Sequence, residues 1–253
     1  MKLKVNGLSA SYHKKKILDD ISFSPEKGSI TAIIGRNGAG KSTLINCING
    51  TKRDYLGEIS IENTPSKELS AKDLSRIIAC LPQDIPAPHI RVKELVAFGR
   101  TPYLSLNGRL TAEDTKAVEN AISLVKMEEF SNSFVDRLSG GERKKAFFAM
   151  ILAQDTPLVI LDEPTAHLDA ASRFEFLEMI VALKDKTDKT FVVVMHELSE
   201  ILRYADRIIA LDNTKIVFDG TAEDCITKEI PQKYFGVKVV GTKEEGYALL
   251  PII

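Results

Sequence analysis

The run Gly35-Arg36-Asn37-Gly38-Ala39-Gly40-Lys41-Ser42-Thr43 has the composition of a loop built to hold phosphate. Its spacing, Gly-x-x-x-x-Gly-Lys-Ser, lets backbone N–H groups turn inward around phosphate oxygens, and a helix that starts there adds the positive end of its dipole. Lys41 is spaced to reach the β- and γ-phosphates of a nucleotide, and the Ser42 hydroxyl to ligate Mg²⁺. The alternative is a glycine-rich turn with a solvated lysine. An apolar run before the loop and a helical pattern after it favour the phosphate loop.

A pair of acids carries the second chemistry. Leu158-Val159-Ile160-Leu161 ends in Asp162-Glu163, which puts Asp162 where P-loop enzymes hold Mg²⁺ and Glu163 where a carboxylate can orient or deprotonate an attacking water. Alternatively, Asp162 caps the next element and Glu163 is surface charge. His196 ends the next apolar run, and Gln83 follows another in a proline-rich stretch with Pro82, Pro86 and Pro88. Both remain open between structural and functional roles: a Gln83 amide can ligate Mg²⁺ or hold water, and a lone strand-end histidine is often a satisfied structural group.

Ser139-Gly140-Gly141-Glu142 opens a helical segment, Arg143 to Ala153. Ser-x-x-Glu is a capping box, but a cap does not need two glycines, and these expose backbone N–H groups where an anion binds well. One chain thus offers two anion-binding helix starts far apart in sequence. If the second does not reach the nucleotide of the first, it serves a nucleotide held by another chain.

Four apolar runs position these groups: Ile30 to Ile34 before Gly35, Ile77 to Leu81 before Gln83, Leu158 to Leu161 before Asp162, and Phe191 to Met195 before His196. Runs apolar on both faces predict central parallel strands, whose carboxyl ends converge on a ligand. Lys2 to Val5, Ile17 to Phe23 and Gly57 to Ile61 predict an antiparallel edge. From about 90 to 155, Leu95, Val96, Val118, Ile122 and Val125 recur at helical intervals and predict a helical lobe inserted in the sheet domain. After Asp219-Gly220 come a short helix and a hairpin turning at Lys243-Glu244-Glu245-Gly246.

The fold class expected is therefore α/β: a P-loop core with a mostly parallel central sheet, an N-terminal antiparallel β-subdomain and an inserted helical subdomain. Its 253 residues form one domain, with 1–84 and 156–253 as core and 85–155 as helical lobe. With 34 basic and 35 acidic side chains the net charge is -1, which leaves no excess positive charge for nucleic acid. The three cysteines, Cys47, Cys80 and Cys225, have no metal-ligand spacing and read as small core residues of a protein in a reducing compartment. No apolar run approaches the roughly 20 residues of a membrane span, and the N-terminus reads as a strand, not a signal peptide.

Taken in order, these residues resemble the ATP-binding-cassette family over nearly the whole chain. Tyr12 is similar to the aromatic on which adenine stacks, 35–43 to the Walker A loop, and Gln83 to the Q-loop glutamine. Ser139-Gly140-Gly141-Glu142 resembles the family signature, Asp162-Glu163 the Walker B strand with its catalytic acid, Ala166-His167-Leu168-Asp169 the D-loop, and His196 the switch histidine. The resemblance implies ATP and Mg²⁺ as ligands, the metal held by Ser42, Gln83 and Asp162. Glu163, Gln83 and His196 are the implied catalytic set, with His196 touching the γ-phosphate. It also implies a second cassette chain, a homodimer facing head to tail, with each signature closing over its partner's ATP and Asp169 at the interface.

Within the family, Leu81-Pro82-Gln83, Val92 to Tyr103, Pro164 to Asp169 and Tyr234-Phe235-Gly236-Val237 resemble importers of iron-siderophores, haem and cobalamin. That subgroup implies integral membrane permease subunits docked on the helical lobe, an external solute-binding protein acting indirectly, and a peripheral place on the cytoplasmic face of the cell membrane. Iron-siderophore is the expected cargo, with haem or cobalamin as alternatives. Arg143-Lys144-Lys145 departs from the subgroup's usual Arg-Gln-Arg, and Phe147-Phe148 replaces smaller residues. Rival readings are a cassette ATPase in iron-sulfur assembly or lipid export, one acting on nucleic acid or in translation, and a P-loop kinase, which would need no signature.

Overall fold

The computed structural model describes residues 2–13, 15–105 and 108–252. Met1 and Ile253, the ends of the expected domain, lie outside the described residues, as do Lys14, Leu106 and Asn107. The chain begins with an antiparallel pair, β1 (Leu3–Tyr12) and β2 (Lys15–Phe23). The alternation of Lys2 to Val5 suggested a shorter first strand. It continues because Gly7 takes φ 60° and the register shifts between Val5 and Leu8, a bulge that carries pairing past Asn6-Gly7. Next come β3 (Ile30–Gly35), α1 (Lys41–Ile48), β4 (Leu56–Ile61) and the short β5 (Thr64–Pro65). One four-stranded sheet joins the antiparallel strands in the order β2-β1-β4-β5, the expected β-subdomain.

Helix α2 (Ala71–Ser75) leads into β6 (Ile78–Leu81), and then the helical lobe follows with α3 (Val92–Ala97), α4 (Ala112–Leu124) and α5 (Gly140–Ala153). The chain returns to the sheet with β7 (Leu158–Asp162), α6 (Ala170–Lys186), β8 (Thr190–Val194), α7 (Leu198–Tyr204), β9 (Arg207–Asp212) and β10 (Lys215–Gly220). It ends in α8 (Ala222–Thr227) and the hairpin β11 (Val237–Thr242) with β12 (Gly246–Pro251). The six-stranded central sheet runs β10-β9-β3-β8-β7-β6, parallel except at the β9–β10 edge.

Burial on both faces explains the unbroken apolar runs. Every residue of β3 and β8 is buried, and their side chains divide by parity between two cores. Ile30, Ala32, Ile34, Phe191 and Val193 face a cluster shared with the helical lobe, α6 and α7. Ile33, Val192 and Val194 face the other, shared with α1 and the antiparallel sheet. The lobe's Leu95, Val96, Val118, Ile122 and Val125 are buried in the first cluster, so the lobe and one sheet face share a continuous core. Burial raises the thiols of Cys47 and Cys80 to about 11 and of Cys225 to about 12. Cys80 is only half-buried, less enclosed than a core residue should be.

Candidate active site

The phosphate loop is built by β3 and α1. Two of its glycines are required by the fold: a Cβ on Gly35 would lie 2.6 Å from the Leu211 carbonyl oxygen, and Gly40, at φ 99°, would meet Leu18 at 2.7 Å. Lys41 is 6% exposed. Its ammonium donates to the carbonyls of Gly35 at 2.8 Å and Arg36 at 3.3 Å, across the loop it closes. Burial pushes its pKa down, and the charges of Glu163 and Asp162 push it back up. The loop opens on a cavity of about 380 Å³ lined by Asn37, Gly38, Lys41, Ser42, Glu163 and His196, among others.

The strand ends converge as their apolar runs implied. Gln83, just past β6, donates from Nε2 to Glu163 Oε2 at 2.7 Å. His196, just past β8, touches Glu163 Oε1 through Nε2. Glu163 therefore stands between an amide and an imidazole at the mouth of the phosphate cavity. Its backbone adopts φ 48°, a left-handed conformation that a glutamate enters at a cost of about 1–3 kcal/mol.

Asp162 does not cap the next element. Its Oδ1 is buried with no hydrogen-bond partner among the described residues. Burial, and after it the charge of Glu163, pushes the carboxyl above the usual carboxylate range, and Lys41 pulls it back. An orphaned buried carboxylate oxygen and the Ser42 hydroxyl of the phosphate loop are oxygen donors of the kind that suit a hard divalent cation such as Mg²⁺. No group of three or more His, Cys, Asp or Glu forms a metal cage among the described residues, so such an ion would take its remaining ligands from phosphate and water.

Other expected site residues lie apart from this cavity. Ser139 and Glu142 form the capping box of α5: Ser139 N–H and Oγ–H donate to Glu142 Oε2, each at 2.8 Å, and Glu142 N–H donates to Ser139 Oγ at 3.3 Å. Asp169 caps α6 through Ser172. Tyr12, 45% exposed, does not line the cavity, and the Lys52 ammonium lies 4.5 Å from its ring centroid. Ile17, which does line it, escaped the sequence reading because nothing marks one strand isoleucine from another. Lys144 also escaped it: a lysine on a helix reads as solvent-facing, yet this one is buried.

Fold and site together define a P-loop nucleotide-binding domain, with a second glycine-led helix start, that of α5, lying apart from the phosphate cavity. The comparisons with known proteins agree. The model of the ABC transporter family matches residues 18–166. The probable siderophore transport system ATP-binding protein YusV of Bacillus subtilis (strain 168) is 36% identical over 94% of this chain and 86% of that protein. The ferric enterobactin transport ATP-binding protein FepC of Escherichia coli (strain K12) is 34% identical over 94% of this chain and 88% of its own length. Among solved structures, cbiO1 from Clostridium perfringens, part of the ABC transporter complex cbiONQ, superposes with a TM-score of 0.81 at 28% identity, covering 91% of this chain and 93% of cbiO1. The chain belongs to the ABC transporter family, and it binds nucleotide.

Proposed function

We propose that the chain is the ATP-hydrolysing subunit of an importer that takes up an iron-siderophore. Glu163 and His196 line the phosphate-loop cavity and Gln83 contacts Glu163 from behind it, and this grouping carries the catalytic part. The cavity binds the phosphates of ATP through the loop N–H groups and Lys41, with Tyr12 stacking the adenine. Glu163 accepts a proton from water as its oxygen attacks the γ-phosphorus, the bond to the β–γ bridging oxygen breaks, and ADP and phosphate form. Gln83 and His196 hold Glu163 in place, and His196 reaches the γ-phosphate from the same side. Ser42, Gln83 and Asp162 would hold Mg²⁺, which would supply positive charge to the nucleotide's phosphate oxygens.

Two chains act together, each closing the α5 start over the nucleotide of the other and meeting at Asp169. Gly140 supports this reading: a Cβ there would meet nothing within 4 Å, so the chain's own packing gives no reason for a glycine. No helix among the described residues is long and apolar enough to cross a membrane. Transport then requires integral membrane permease subunits, on which the lobe 85–155 docks at the cytoplasmic face, and an external solute-binding protein that delivers cargo to them. The names of the two bacterial relatives favour siderophore over haem or cobalamin. The test is reconstitution with integral membrane permease subunits of a siderophore importer: ATP-driven uptake of a radio-iron siderophore into vesicles is expected. Uptake of cobalamin or haem instead, with no iron, would overturn the cargo, and absence of ATP hydrolysis would overturn the reading.

A further inference from the structure

The departure at Lys144 has a structural counterpart. A lysine in the second turn of a surface-starting helix ordinarily sends its ammonium to water along an apolar stem, but Lys144 is 3% exposed. Its Nζ donates to the main-chain carbonyl of Gln83 at 3.2 Å. Burial holds its pKa below the ordinary lysine value, while Asp84, Glu163 and Asp162 favour the charged form and Arg143 opposes it. Desolvating an ammonium is costly, and a methionine would fill a similar volume without that cost. Packing alone therefore does not account for a lysine here.

The residue it holds is one of the two that touch the proposed catalytic acid. From α5, the contacts run through Lys144 Nζ to the Gln83 carbonyl, and from the Gln83 side chain to Glu163 Oε2 at 2.7 Å. A cavity of about 120 Å³, lined by Gln83, Asp84, Gly140, Lys144 and Leu168 among others, separates the glutamine loop from the start of α5. Lys144 provides a polar contact across that gap.

We propose that Lys144 is a positioning residue for ATP hydrolysis, fixing the glutamine-loop main chain to α5 and so setting where Gln83 meets Glu163. Since α5, capped by Ser139, belongs to the helical lobe, the contact makes the surroundings of the hydrolytic acid follow the position of that lobe. This rests on the ATPase reading above.

Two substitutions in the full-length chain test it. Lys144→Met keeps the stem and deletes donor and charge, whereas Lys144→Arg keeps both. Steady-state ATPase rates, equilibrium ATP binding and thermal melting are measured on each. Lys144→Met is expected to lower kcat roughly tenfold to thirtyfold, as loss of a positioning contact does, while KM and ATP affinity stay within about twofold. Its melting temperature should equal or exceed that of the wild type, because a desolvated charge has been removed. Lys144→Arg should recover at least about a third of the wild-type kcat. A Lys144→Met kcat within about twofold of wild type would overturn the proposal, as would a parallel fall in rate, affinity and melting temperature in both variants. A wild-type chain that hydrolyses no ATP would overturn the ATPase reading, and this proposal with it.

Discussion

Replacing Glu163 by glutamine separates its proposed role as a base from its role as a hydrogen-bond partner. The carboxylate accepts from Gln83 Nε2 at 2.7 Å and contacts His196 Nε2. In Glu163→Gln the amide oxygen still accepts from Gln83, and the amide N–H₂ donates to His196 Nε2 once the imidazole carries its proton on Nδ1. Both neighbours stay satisfied, so the loop cavity keeps its shape. Lys41 loses one of the two carboxylates that favour its charged form and retains Asp162; nucleotide affinity is expected to stay within about threefold. What disappears is the acceptor for the water proton. General base catalysis contributes about 10²–10⁴ in rate, which at about 1.36 kcal/mol per decade is about 2.7–5.4 kcal/mol of barrier. Single-turnover hydrolysis beside equilibrium ATP binding reads both quantities. Turnover within about tenfold of wild type, or a loss of affinity matching the loss of rate, would refute the reasoning.

Other perturbations test the rest of the structure. Ser139→Arg should leave ATP binding unchanged, since Ser139 does not line the phosphate cavity, while hydrolysis falls at least about a hundredfold; an unchanged rate in an ATPase assay would point to a P-loop kinase. In the lobe, Arg100 donates to Asp114 at 2.8 Å and to the Ala153 carbonyl at 2.9 Å, all of it buried. Arg100→Ala strands that carboxylate and should cost about 3–5 kcal/mol in urea unfolding with the m-value unchanged. Hydrogen bonds from the Thr111 backbone, Arg100 and the Thr111 hydroxyl hold the Asp114 carboxyl below the usual range. Its contribution to stability is therefore complete above the unfolded pKa of about 3.9 and lost as pH falls through the lower folded value. The melting temperature of Asp114→Asn should accordingly fall less steeply below about pH 4 than that of the wild type.

The groups legible in sequence were those whose chemistry needs contiguous residues or a strand end. The phosphate loop is one stretch of chain, and Gln83, Asp162 and His196 follow runs that only a doubly buried strand can hold. Residue type said less where the fold decides the environment. Gly7 reads as a turn yet carries β1 through a bulge. Glu163 gives no sign of its left-handed backbone, and the burial of Lys144 depends on a loop some sixty residues earlier in the chain. Tyr12 was recognisable through resemblance, but the Lys52 ammonium over its ring comes from the turn after α1, which no local pattern announces.

The two helix starts handle their own backbone groups differently, and the difference bears on the role proposed for Gly140 and Gly141. At α1 the Lys41 ammonium is folded back on the loop, and the N–H groups face a cavity of the same chain. At α5 the capping box already serves two donors: Ser139 N–H is taken by the Glu142 carboxylate and Glu142 N–H by Ser139 Oγ. The N–H groups of Gly140 and Gly141, in the first turn, have no partner within the helix. An anion arriving from outside therefore need not displace the cap. It needs only close access to those two groups, which the missing side chains provide: a Cβ on Gly140 would meet nothing, and one on Gly141 only Ser172 at 3.3 Å. A capping residue with a bulky side chain at either position would preserve the helix and block the approach. On the proposed reading the phosphate loop at 35–43 binds the nucleotide, and the α5 start of a second copy of the chain would complete the catalytic site over it.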